Sequence, residues 1–332
     1  MLYINSRQQL HLLKTNLDYL LLEPDGRYKT LHSFLKKYDR DNVAFIVCDS
    51  LVKECVEHLK QQKIHKQYDK VIIYMAELYW DEFNDSKTLD NLLEDNIYVI
   101  FNFFSKESPY KLKTKSYTSI GGFGDIARLY LEKYDFEPKE KKYNLISKFG
   151  RPNEDRILFY ENLKEYKSFI YSINNFKYNE SDNIPSIGFE SETHLENDYK
   201  SYTLPEEDFE SIFSLDIETR LSQYEEAPHL ISCTEKTLKS FMFKRPSINV
   251  IQKEAYDYLE SFGFEFPNYF GLDHKTQQLE ICKRICELSL EECKELSLQY
   301  KDVCERNYQK LLEFLEHHKN KLENIFYELY HK

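Results

Sequence analysis

Glycine and proline are scarce, at 8 and 9 among 332 residues. That poverty excludes a collagen-like chain and argues against long disordered linkers. Long apolar runs are missing as well. No stretch approaches the roughly 20 residues that a membrane-spanning helix needs, so no span is expected. The segment MLYINSRQQLHLLKTNLDYLLLEPDG lacks a basic start followed by an apolar run, so it is not read as a signal peptide. No internal repeat of about 20–50 residues is visible. Positive charge is in deficit: 45 Lys and Arg stand against 57 Asp and Glu, a net of −12. Such a field repels phosphate backbones, so general nucleic-acid binding is disfavoured, while a local basic cleft for one nucleotide stays compatible. The seven cysteines are odd in number and irregular in spacing, which fits free thiols in a reducing, cytoplasmic compartment. What is abundant is aromatic: 27 Tyr and 23 Phe in a chain that is 41% hydrophobic. That supplies real cores, and the length accommodates two domains.

Along the chain, NVAFIVCDS (42–50), KVIIYMAELYW (70–80) and IYVIFNFF (97–104) are short continuous apolar runs, the pattern of strands buried on both faces. Helical patterns at 51–65 and 86–96 lie between them. Strands alternating with helices predict a parallel sheet with right-handed crossovers. The glycines of SIGGFGDIARLYLEKYDF (119–136) fall short of the dinucleotide fingerprint and suit a tight turn or hinge, with a phosphate loop as the alternative. PKEKK (138–142) is a polar link between an N-terminal domain, 1–137, and a second, 143–275. In the second domain YNLISKFG (143–150), SFIYSINN (168–175), IFSLDIET (212–219) and PSINVI (246–251) read as strands. Residues 151–167, 234–244 and 253–263 read as helices, the last ending at Gly263. From about 275 onward the periodicity predicts two helices, 276–332, bracing the domains.

The segment 209–251 gathers Asp216, Glu218, Glu235 and Lys236 into otherwise apolar surroundings. Thr234 is placed to cap a helix whose first turn holds Glu235 and Lys236. Helix starts favour anions, and a lysine there adds a point charge for phosphate. Glu218 ends the neighbouring strand, where a carboxylate can accept from a diol. Together these groups suit a nucleotide sugar, and equally a solvated acidic turn beside a capped helix.

The order FSLDIET, then RLSQYEEAPH, then LISCTEKTLKSFMFKRPSINVI resembles the donor-binding region of α1,3-fucosyltransferase-like glycosyltransferases. Glu218 falls on the acid of that family's first motif, with Thr219 in place of its Asn. Glu235 and Lys236 fall on its T-E-K pair, with Ser232 and Cys233 where the family carries tyrosine. LISKFGRPNEDRILFYENLKEY and SFGFEFPNYF resemble a related group of viral and bacterial glycosyltransferase-like proteins. That resemblance brings Lys148, Arg151 and Arg156 toward the donor phosphates. It covers roughly 143–275. It implies an α/β chain of two Rossmann-like domains facing a cleft (the GT-B arrangement), a hexosyl- or fucosyltransferase-like activity, and the host cytoplasm if the chain is viral.

Other candidates come from position alone. Glu77 stands near the carboxyl end of a parallel strand, where an acceptor-activating base belongs. A solvent-facing acid is the alternative there, and Asp49 holds a similar place. DRD (39–41) has the D-x-D form of a metal site but precedes the first strand. Cys282, Cys286, Cys293 and Cys304 recur along one helical stretch, which suits a buried apolar stripe better than a tetrahedral zinc site. KLKTK (111–115), between Tyr110 and Tyr117, suits a solvated loop, or a stacking contact on the acceptor side.

The expectation is therefore metal-independent, inverting transfer from a nucleotide-diphosphate sugar to a glycan or other hydroxyl acceptor, with no cofactor. Lys148, Arg151 and Lys236 would offset the leaving diphosphate, Glu218 and Glu235 would hold hydroxyls, and Glu77 would be the base. The alternatives are transfer to modified DNA bases and a related protein that has lost the chemistry and kept interactions.

Overall fold

The structure, a computed structural model, describes residues 43–48, 52–61, 63–75, 96–101, 104–105, 116–118, 127–128, 130–136, 139–149, 154–172, 204, 206–218, 230–231 and 234–331. The chain divides into two compact units, Met1–Ile126 with Glu316–Lys332, and Ala127–Leu315. Described strands and helices are numbered below in chain order.

In the first unit β1 (Val43–Cys48), β2 (Lys70–Met75), β3 (Ile97–Phe101) and β5 (Ser116–Thr118) form a sheet in the order β1-β2-β3-β5. Every pairing is parallel, with Val43 opposite Lys70, Val71 opposite Ile97 and Val99 opposite Ser116. The apolar runs account for it: Val71, Ile72, Ile73 and Tyr74 have no exposed surface, as strands covered on both faces require. Helix α1 (Val52–Gln61) links β1 toward β2. Asn96 closes the turn ahead of β2 by donating to the carbonyls of His65 and Tyr68 at 2.7 and 3.0 Å. Strand β4 (Phe104–Ser105) follows β3. Of the expected helix at 86–96 all but Asn96, together with the glycine-rich 119–124, Glu77, Asp49 and 106–115, lies outside the described residues.

The second unit holds β6 (Tyr143–Lys148), α2 (Glu154–Leu163), β7 (Phe169–Ser172), α3 (Glu206–Glu210), β8 (Ser211–Ile217), β9 (Leu230–Ile231), α4 (Glu235–Met242), β10 (Ser247–Val250), α5 (Lys253–Ser261), α6 (Gln278–Glu287), α7 (Leu290–Leu298) and the first part of α8 (Lys301–His331). Its four-stranded sheet runs β10-β8-β6-β7, all parallel. Strand alternation sorts the side chains of β8. Phe213, Leu215 and Ile217 join a buried cluster with Leu145, Phe149, Ile281, Cys282 and Ile285, while Ser214 and Asp216 are buried polar positions between them. Helix α4 packs on β8 and β10, and α6 packs on β6 and α2.

The stretch after 275, expected as two helices, is three. The break lies at Ser289, where a reciprocal cap forms: Glu292 N donates to Ser289 Oγ at 3.3 Å and Ser289 N to the Glu292 carboxylate at 2.8 Å. The open end of α6 is closed from the sheet, because Asn144 donates to the carbonyls of Ile285 and Leu288 at 3.0 and 2.8 Å. Gly263 ends α5 with φ +96°, the left-handed turn expected of a glycine cap.

Candidate functional site

Strand order places a switch point in the second unit. From β6 the chain crosses through α2 to β7 on one side. From β8 it proceeds through α4 to β10 on the other side. Open α/β sheets bind ligands where neighbouring crossovers diverge in this way, outside the carboxyl ends of the strands. Those ends are Lys148 on β6 and Ile217–Glu218 on β8.

Glu218 has no exposed surface. One carboxylate oxygen accepts from Thr234 N at 2.8 Å and from the Thr237 hydroxyl at 2.7 Å. The other accepts from the Thr234 hydroxyl at 2.7 Å. The Thr234 oxygen in turn accepts from Lys236 N at 3.3 Å as the helix cap. The start of α4 therefore binds an anion, as its dipole favours, and that anion is the protein's own carboxylate. This corrects the expected part of Glu218: it anchors a helix, with no surface left for a sugar diol.

Arg156, expected near phosphates, points inward. It is 1% exposed and donates to the Ile217 carbonyl at 2.8 Å, tying α2 to the end of β8. Lys236 is half-buried at the second position of α4, its amine 3.5 Å from the Thr234 hydroxyl. Glu235 is the first residue of that helix. Arg151 and Glu77 lie outside the described residues.

Lys148 leads to a group of charges that no local pattern announces. Its amine lies 2.5 Å from the Asp208 carboxylate, and its side chain is 27% exposed while that of Asp208 is 2% exposed. Arg245 donates to the Asp208 and Ser211 carbonyls and reaches within 3.8 Å of the Asp208 carboxylate. Lys239 and Asp216 complete the cluster; both are buried and both feel these neighbours. Burial alone would raise the Asp208 carboxyl, yet Lys148, Lys239 and Arg245 hold it below the usual range. Burial raises Asp216, against the pull of Lys239 and Arg245. Burial also brings Lys148 down to about 8, with Asp208 opposing; a partly exposed amine is relieved of some of that penalty.

His274 is a second feature that sequence reading missed. It is 1% exposed, ringed by Tyr256, Phe266 and Tyr269 at centroid distances of 5.7, 5.4 and 5.9 Å. Its Nε2 accepts from Asn249 N at 3.4 Å, which makes Nδ1 the donor to the Pro267 carbonyl at 3.3 Å. Burial lowers it to about 4.

Cys282, Cys286, Cys293 and Cys304 are free and buried, spread over α6, α7 and α8. Among the described residues no group of three or more His, Cys, Asp or Glu is arranged for a metal ion, and no helix is long and apolar enough to cross a membrane. The cluster is suited to charge chemistry: Lys148 ends β6 and sends a partly exposed amine to Asp208, which precedes β8 and lies beside Arg245, which precedes β10. Neither a family model, a curated protein nor a solved structure matches this chain.

Proposed function

We propose that this chain is a glycosyltransferase of GT-B type, moving a sugar from a nucleotide-diphosphate donor to a hydroxyl acceptor by inversion and without a metal. The observation that carries the reading is the switch point between β6 and β8, lying where the sequence resembles a donor-binding region. In this reading Lys148 and Lys236, with Arg151, offset charge on the departing diphosphate, work that fixed cations can do without a metal. Glu218 and Thr234 hold the α4 start in place, Glu235 meets donor hydroxyls, and Glu77 accepts the acceptor's proton.

The test is a thermal-shift screen of nucleoside diphosphates. Stabilisation by one nucleotide, lost in Lys236→Ala, supports the reading. No response to any nucleotide at millimolar levels would sink the donor site.

A second reading, a related nucleotide-binding protein without transfer, is favoured by one observation. Glu218 and Lys148 already have partners inside the protein, an arrangement that is stable with no donor present. Sugar release from the stabilising donor, to water or to an acceptor, separates the two.

A further inference from the structure

Three cations converge in the second unit on two carboxylates. Lys148, Lys239 and Arg245 surround Asp208, and Lys239 and Arg245 act on Asp216. Lys141 donates to the Phe209 carbonyl at 2.7 Å beside them and feels Arg245. Among the described residues the cluster therefore carries more positive than negative charge, even with Asp216 ionised. Uncompensated buried charge is costly, so the surplus calls for a counter-ion from outside.

One of these cations is built to meet it. Arg245 is fixed by two carbonyls and stacked on the Phe243 ring at 4.2 Å, with its side chain 5% exposed. Lys239 is 8% exposed. Lys148 is held only through its amine on Asp208, sits at the end of β6, and keeps 27% of its side chain in solvent. Lys148 is the nearest partner of the Asp208 carboxylate, but not its sole cation, since Arg245 donates to the Asp208 carbonyl and lies 3.8 Å from the carboxylate.

We infer that Lys148 is the exchangeable arm of this network, leaving Asp208 to bind a phosphate or diphosphate anion at the carboxyl edge of the sheet while Arg245 and Lys239 keep Asp208 neutralised. No covalent bond changes; one charge-assisted contact replaces another. Asp208 then acts as a built-in competitor that sets how tightly the anion is held. The inference deepens the donor-site reading and rests on it for the identity of the ligand, though not for the anion site itself.

Inorganic pyrophosphate is the probe, titrated calorimetrically at fixed ionic strength into wild type and Lys148→Met, which keeps the apolar stem. The expected result is saturable binding that Lys148→Met weakens about ten-fold or more, as loss of one charge-assisted contact implies. Unchanged affinity overturns the inference. If the variant does not fold, acetylation footprinting of wild type replaces it. Pyrophosphate should slow modification of Lys148 relative to exposed Lys253, and equal slowing or none overturns the inference. Nucleotide binding that requires Lys236 but ignores Lys148 overturns the exchange and leaves the donor site standing. Pyrophosphate binding through Lys148 with no nucleotide response upholds the exchange and removes the donor.

Discussion

The Glu218 carboxylate accepts both the backbone N–H and the hydroxyl of Thr234, at 2.8 and 2.7 Å, with no water-exposed surface of its own. A residue at the end of β8 thus fixes the first turn of helix α4.

Removing that carboxylate strands three donors at once. Glu218→Ala should cost about 3 kcal/mol, since bonds to a charged acceptor are worth more than neutral ones and buried donors left bare are penalised. Thr234→Ala, which loses the cap, should cost about 1 kcal/mol. Urea unfolding of the two single variants and the double variant checks this. Because the residues share bonds, the double loss should fall short of the sum.

The Asp208 group predicts an asymmetry. Asp208→Ala leaves Arg245 and Lys239 buried against each other and should destabilise by about 3–5 kcal/mol. Lys148→Met removes the partly exposed partner but leaves Arg245 and Lys239 near the buried Asp208, so it should cost less than Asp208→Ala. Equal losses from the two variants would contradict the placement of surplus charge.

His274 gives a pH signature. Its folded-state value of about 4 lies below its ordinary 6.5, so the unfolded chain binds the extra proton between those values. Its contribution is complete above about pH 6.5 and is lost as pH falls through about 4, a total of up to about 3 kcal/mol. Stability measured across that range should slope downward toward acid. His274→Phe should flatten the slope whatever it does to absolute stability.

The buried thiols should be inert. Burial pushes Cys286, Cys293 and Cys304 up to about 12, and raises Cys282 well above the ordinary thiol range. Since the thiolate is the reactive form, iodoacetamide at neutral pH should leave all four unmodified in the native protein and alkylate them in denaturant. Mass spectrometry of the peptides decides it.

Much of the secondary structure was legible in the sequence because its causes are local. VAFIVC, KVIIYM and IYVIF announced β1, β2 and β3, since a strand covered on both faces is apolar at nearly every position. Thr234 was legible as a cap for the same reason. The break between α6 and α7 was missed because no glycine or proline marks it, although Ser289 and Glu292 spell the reciprocal cap. The charge cluster was not legible at all. Asp208 and Arg245 meet across 37 positions, and only the strand order brings them together. The inward turn of Arg156 and Glu218 was hidden too, because residue type and spacing name a strand end without saying which groups its side chains meet there.

The long helix α8 has a further consequence. It is a 31-residue helix, about 46 Å long, and its residues from Glu316 onward belong to the first unit, where the Leu329 carbonyl accepts from Lys70 at 2.5 Å. On the ribosome, residues 127–315 emerge before 316–332 do. The first unit is thus the later of the two to gain its 316–332 segment, and it must wait for it after 127–315 have already emerged.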